Sequence, residues 1–266
     1  MALTPTGADG AHPDPAAVEP TLAEPFHWQG WHIGAALPGG RVLFTTRRGG
    51  ASTGPFAELN LSRSVGDDRA AVDVNRERLA AQIDLDWSEF SFGRQVHGTT
   101  VRRVVDGAPR RVRGAEEDGQ ATGLEDNPAL VLVADCLPVA LVAPGAVAAL
   151  HAGWRGLSAG VLEEGIAALR DCGAEGAITA ALGPSARPCC YEVGEEVHQH
   201  FAEPGARNGE RGLDLAAIAR ARLVAGGVRE IHDVGLCTIC APELFFSHRR
   251  DAGVTGRQAG VAWRAG

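Results

Sequence analysis

The chain has 266 residues, 45% hydrophobic and 22% charged, which fits one or two globular domains and excludes a stapled mini-protein. All 25 basic residues are arginines, so a P-loop lysine, a Schiff-base lysine and a lysine general base are excluded. With a net charge of −8 and scattered arginines there is no electrostatic footprint for nucleic acid, and small-molecule partners are expected.

Residues 1–25 are rich in proline and alanine and lack apolar periodicity, so a disordered tail is expected there, followed by one domain over 26–266. A strand is predicted over 42–46, closed by Arg47-Arg48-Gly49-Gly50. Val72, Arg76, Leu79 and Ile83 then recur at helical intervals behind a cap at Asp67 or Asp68. A strand ending near His97 and a partner over 101–105 follow. The runs 129–134, 139–142 and 146–150 are apolar at almost every position, as strands buried on both faces are. After His151 a helical pattern starts at Gly153-Trp154-Arg155-Gly156 and stops at Gly173. A strand over 177–182 and helices near 192–201 and 213–225 complete the reading. Strands and helices alternate without a compositional break, predicting a mixed α/β domain of layered sheets and helices.

The stretch 136–154 has the length of a membrane span, but Pro138, Pro144 and Gly145 interrupt it, and two buried strands with a turn explain it. No basic residue precedes Arg41, so no secretory signal is read and a reducing, cytoplasmic setting is expected. There, six cysteines are buried, metal-binding or catalytic rather than a disulfide framework.

Three potential metal ligands fall directly after predicted strands: His97, Cys136 and His151. Their separations of 39 and 15 residues match no zinc finger, and two imidazoles with one thiolate would leave a zinc ion an open fourth position. On spacing alone, the ordinary reading of a buried thiol and two core or surface histidines is favoured. A cysteine nucleophile with a histidine base, oriented by Asp135 or by a second histidine, remains open. Copper is disfavoured, because Met1 is the only methionine and the other histidines form no further cluster. Cys237-Thr238-Ile239-Cys240 is a C-x-x-C pair, but a zinc ribbon needs a second pair. Cys189 and Cys190 are adjacent and are not expected to face one metal together, so structural packing is the reading for these four. For an anion, donors are available at Arg47, Arg155, Arg249, Arg250 and Arg257, with free backbone N–H groups expected at the turn after His151.

Phe44-Thr45-Thr46-Arg47, Leu59-Asn60-Leu61, Gln95-Val96-His97-Gly98, Ala134-Asp135-Cys136-Leu137-Pro138 and His151-Ala152-Gly153-Trp154-Arg155-Gly156 follow one another along the chain. These ordered segments closely resemble a bacterial family once labelled multicopper polyphenol oxidase or laccase-like and now regarded as purine nucleoside phosphorylases. Downstream, Gly183-Pro184-Ser185, Cys189-Cys190-Tyr191-Glu192-Val193-Gly194, Cys237-Thr238 and Phe246-Ser247-His248-Arg249-Arg250-Asp251 match in the same order. The resemblance implies a zinc site on His97, Cys136 and His151, and phosphorolysis of adenosine, inosine, guanosine and S-methyl-5′-thioadenosine, with adenosine deamination as a side activity. Nucleoside and phosphate are the implied partners, with Arg47, Asn60, Arg155 and Arg249 as candidate substrate or phosphate contacts. Zinc deaminases carry an H-x-E glutamate that does not follow His97 or His151 here, which leaves Asp135 and Asp118 as candidate acid or base. A cysteine hydrolase acting on a peptidoglycan precursor and a copper phenol oxidase are the alternatives. His248 stands where family members often carry Tyr.

Overall fold

The computed structural model describes residues 19–264, so most of the expected tail lies outside the described residues. Within residues 19–25, Leu22 packs against the core and Pro20 accepts a hydrogen bond from the Trp28 indole.

In chain order the elements are β1 (His27–Gln29), β2 (His32–Leu37), β3 (Gly40–Phe44), α1 (Arg69–Gln82), β4 (Val101–Val104), β5 (Gly119–Thr122), β6 (Ala129–Val133), β7 (Leu137–Ala143) and β8 (Ala146–Ala152). There follow α2 (Trp154–Ala159), α3 (Val161–Asp171), β9 (Thr179–Leu182), α4 (Glu195–His198), β10 (Arg207–Asn208), β11 (Gly212–Leu213), α5 (Leu215–Ala225), β12 (Glu230–Asp233) and β13 (Gln258–Trp263). They build an antiparallel sheet in the order β1-β2-β3-β13-β6 and a mixed sheet in the order β12-β9-β7-β8-β5-β4.

Side-chain alternation explains the layering. Val42 and Phe44 point to one face of the first sheet and meet Ala140, Val142, Val147 and Ala181 of the second. Leu43, between them, points the other way, onto Leu79 and Ala80 of α1 and the Trp87–Phe90 stack. On β8, Ala148 and Leu150 face α3 and α5, whose Leu162, Leu169, Ile218 and Leu223 cover that side. The result is helix, sheet, sheet, helix, with both sheets buried on two faces, as the apolar runs required.

The details depart from the sequence reading in places, each for a local reason. His97 ends no strand: it sits in a loop at φ 61°, and only isolated bridges form at Ser91 and Arg94. The N–H groups of Val96, His97 and Gly98 go to the Asp118 carboxylate instead of a neighbouring strand. His151 lies within β8 rather than after it, because its N–H pairs with the Asp118 carbonyl at 2.7 Å. The helix expected up to Gly173 is two helices, split at Gly160 with φ 101°, a backbone state that glycine adopts without steric cost. The helix near 192–201 shrinks to Glu195–His198. Asp214 caps α5, accepting from the N–H groups of Ala216 and Ala217, both at 3.0 Å.

Candidate functional site

The ends of β7 and β8 and the loop fixed by β5 converge beside the inter-sheet layer. Cys136 directly precedes β7, and His151 stands opposite Pro138 in the β7–β8 register. On β8, His151 shares the face of Val147 and Ala149, so its ring turns toward the other sheet. His97 arrives from its loop. The sulfur and one ring nitrogen from each imidazole all lie within 4.8 Å of one another. His97 Nε2 is 3.7 Å from Cys136 Sγ, and the two imidazoles meet edge to face at 4.7 Å between centroids.

Asp118 organises this convergence. It is fully buried, its carboxylate accepts the three loop N–H groups, and its Oδ1 lies 2.8 Å from His151 Nδ1. Burial alone would push the Asp118 carboxyl up, but the hydrogen bonds from His151, Gly98 and Val96 outweigh it and hold the group below its ordinary value. Burial likewise opposes charge on Cys136 and on His151. Their mutual attraction, with His97 beside the thiol and Asp118 beside the imidazole, lowers Cys136 and raises His151. With Nδ1 occupied by Asp118, His151 presents Nε2 to the centre, the arrangement of a metal-ligating histidine backed by a carboxylate. Gly153 completes the fit: a Cβ there would lie 2.9 Å from His97 Cδ2 and 3.0 Å from Cys136 Sγ. The donor set suits a borderline-soft divalent ion such as zinc.

A cleft of about 350 Å³ opens over these three side chains and is lined also by Ser62, Ser64, Arg94, Gln95, His248 and Arg257. Arg94 is paired with Glu116. Arg257 is in no ion pair among the described residues; two of its contacts are the Thr255 and Gly256 carbonyls, and burial lowers its pKa.

The other residues singled out from the sequence divide. Arg249 lies 5.1 Å over the Tyr191 ring and donates to the Glu192 carbonyl. Arg155 stacks 4.3 Å over Trp154, and Cys136, Asp135, Arg249 and Arg155 all act electrostatically on Tyr191, so they share one neighbourhood. Arg47 and Asn60 do not line the cleft. Arg47 donates to the Ala57 and Pro242 carbonyls and lies over Phe246, while Asn60 is a buried strut between Ser62, Asp67 and the Arg257 N–H. Asp135 is also occupied: its carboxylate accepts from the Thr238 hydroxyl at 2.6 Å and the Arg249 N–H at 2.7 Å. Arg94, Ser62 and Ser64 were not singled out, because nothing in their local pattern distinguishes them from surface polar residues. The expectation that Cys189 and Cys190 would not face one place together is not met, since their sulfurs and those of Cys237 and Cys240 lie within 4.8 Å of one another.

Residues 41–265 match the family described as multi-copper polyphenol oxidoreductase laccase. The chain belongs to this family. A member from Xylella fastidiosa named purine nucleoside phosphorylase is 42% identical over 249 residues, covering 85% of this chain and 93% of the relative. A Geobacillus stearothermophilus relative, named purine nucleoside phosphorylase YlmD, is 37% identical over 86% of this chain and 92% of its own length. The crystal structure of YlmD from that organism superposes with a TM-score of 0.81 at 34% identity, covering 91% of this chain and 99% of the other. A Bacillus licheniformis protein, YfiH, superposes at 0.82 with 29% identity, covering 91% and 100%. Despite the family's laccase description, the only other group of three or more potential metal ligands among the described residues is made of cysteines alone. Among the described residues, no helix is long and apolar enough to cross a membrane.

Proposed function

We propose that this chain is a purine nucleoside phosphorylase that holds zinc on His97, Cys136 and His151 and splits adenosine, inosine, guanosine and S-methyl-5′-thioadenosine with phosphate. One observation carries the reading: the cleft is lined both by the cysteine–histidine centre and by an arginine, Arg257, that is in no ion pair among the described residues. Zinc bound there would supply a Lewis-acidic position with room for a substrate group. Arg257 and the Ser62 and Ser64 hydroxyls offer donors that hold phosphate and aim one oxygen at the anomeric carbon. His248 lines the same cleft and offers an imidazole to donate a proton to the departing purine nitrogen. Arg249 and Arg155, beside Tyr191, add positive potential near Cys136. Asp118 contributes by fixing His151, and Asp135 by fixing Thr238 and Arg249. Adenosine deamination is proposed as a side activity only: no carboxylate lines the cleft among the described residues.

The decisive experiment incubates purified, zinc-supplemented protein with adenosine or inosine, with and without phosphate. Free base and ribose 1-phosphate should form only with phosphate. His97→Ala and Cys136→Ala should abolish turnover, and an undiminished rate in both variants would overturn the site.

A second reading has an observation of its own. Cys136, His151 and Asp118 stand in the order nucleophile, base and orienting carboxylate. This is the cysteine hydrolase alternative, acting on a peptidoglycan precursor. Hydrolysis that survives exhaustive chelation and needs no phosphate would favour it.

A further inference from the structure

Outside the cleft's lining, the two cysteine pairs that look unrelated in sequence meet. Cys189 Sγ is 3.6 Å from Cys240 Sγ, Cys190 Sγ is 2.9 Å from it, and with Cys237 all four sulfurs lie within 4.8 Å of one another. A tetrahedral zinc–thiolate centre with Zn–S of about 2.3 Å spaces its sulfurs about 3.8 Å apart, while a disulfide needs about 2.05 Å. The cluster therefore has the size of a metal site and lacks the geometry of a bond.

Two features of the backbone point the same way. Residues 187–191 form a tight turn, in which the Cys190 and Tyr191 N–H groups donate to the Arg187 carbonyl at 3.0 and 2.8 Å. That turn rotates both neighbouring sulfurs to one side, which an extended Cys-Cys pair would not allow. In the C-x-x-C turn, the N–H groups of Arg187, Ile239 and Cys240 converge on Cys237 Sγ. The backbone therefore presents three hydrogen-bond donors to one sulfur of the cluster. Arg187, the cation nearest in sequence, is already paired with Asp233.

We propose that Cys189, Cys190, Cys237 and Cys240 form a second, closed, all-cysteine site for a zinc ion, separate from the His97–Cys136–His151 centre. Four protein ligands leave no open position, so this site is structural. It ties the turn before Tyr191 to the segment that carries Thr238, whose hydroxyl holds Asp135 next to Cys136, and whose carbonyl accepts from Arg250 at 2.8 Å. Zinc there would clamp the two segments that flank the Cys136 side of the cleft.

The test measures zinc in full-length protein purified under reducing conditions from zinc-supplemented cells. Cys237→Ser/Cys240→Ser should hold one zinc fewer per chain than wild type, whatever the His97–Cys136–His151 centre holds. His97→Ala/Cys136→Ala should retain this second zinc, and cobalt exchanged into that variant should show strong thiolate charge-transfer absorption. Wild-type protein checks the proposal without relying on a variant that fails to fold: Cys189, Cys190, Cys237 and Cys240 should resist alkylation until a chelator is added. Equal zinc in wild type and Cys237→Ser/Cys240→Ser would overturn the proposal. So would alkylation of all four thiols unaffected by chelator, or a Cys190–Cys240 crosslink in protein never exposed to oxidant.

Discussion

His151 Nδ1 and Asp118 Oδ1 lie 2.8 Å apart, both side chains buried, and this contact decides which imidazole nitrogen faces Cys136. The same carboxylate fastens the loop that delivers His97, so one side chain sets the positions of two of the three ligands. Asp118→Asn keeps the size of the group but places an amide N–H where acceptors are needed. Loss of such a supporting carboxylate weakens metal binding about 10–100-fold. Zinc competition against a chromophoric chelator should show a drop of that order; an unchanged affinity would mean that Asp118 acts on the fold alone.

Gly153 offers a sharper probe of the centre, because the nearest atoms an added methyl would meet belong to His97 and Cys136. Gly153→Ala should therefore cost most of the phosphorolysis and metal affinity. The melting temperature of the metal-free protein should stay within a few degrees of wild type. Retention of full metal affinity would show that the two side chains swing aside freely.

The anion assignment separates Arg257 from Arg47. Losing a charge-assisted hydrogen bond costs about 1.5–3 kcal/mol, roughly a tenfold to hundredfold change in affinity. Arg257→Gln should raise the KM for phosphate by at least about tenfold while leaving the nucleoside KM near its original value. Arg47→Gln, which breaks contacts to Ala57, Pro242 and Phe246, should instead lower stability and leave the phosphate KM unchanged. The reverse pattern would move the phosphate site to the β3 end.

Apolar runs made the buried strands readable, because β7 and β8 are covered on both faces and carry almost no polar residue. β5 escaped the reading: Gly119-Gln120-Ala121-Thr122 has no apolar pattern, yet every residue is buried, with Thr122 bonded to the Val104 carbonyl. Cys136 and His151 were visible as isolated ligand-type residues at the ends of such runs, and His97 after an expected strand that does not form, but only the tertiary structure brings the three within reach of one ion. Asp118 entered only as a candidate acid or base, since a carboxylate that gathers N–H groups from a loop some 20 residues earlier leaves no local signature. The meeting of the four cysteines was hidden for a similar reason: strand geometry sends adjacent side chains to opposite faces, and the turn at Arg187 cancels that rule.

His32 supplies a pH dependence separate from any metal ligand. It is buried, its Nδ1 accepts the Thr46 N–H at 3.4 Å, and burial lowers its pKa to about 4, against the weaker opposing effect of a Trp31 backbone hydrogen bond. The unfolded chain takes up a proton near the ordinary histidine value of about 6.5, whereas the folded protein resists until about 4. Stability is therefore full above about 6.5 and falls as the pH drops toward 4. From pH 7 to pH 5 the loss attributable to this group is about 2 kcal/mol. His32→Asn keeps an acceptor for Thr46 and removes the titration. Urea unfolding of metal-free protein should show wild type losing about 2 kcal/mol more than His32→Asn over that interval. Parallel pH profiles for the two proteins would refute a buried neutral imidazole at this position.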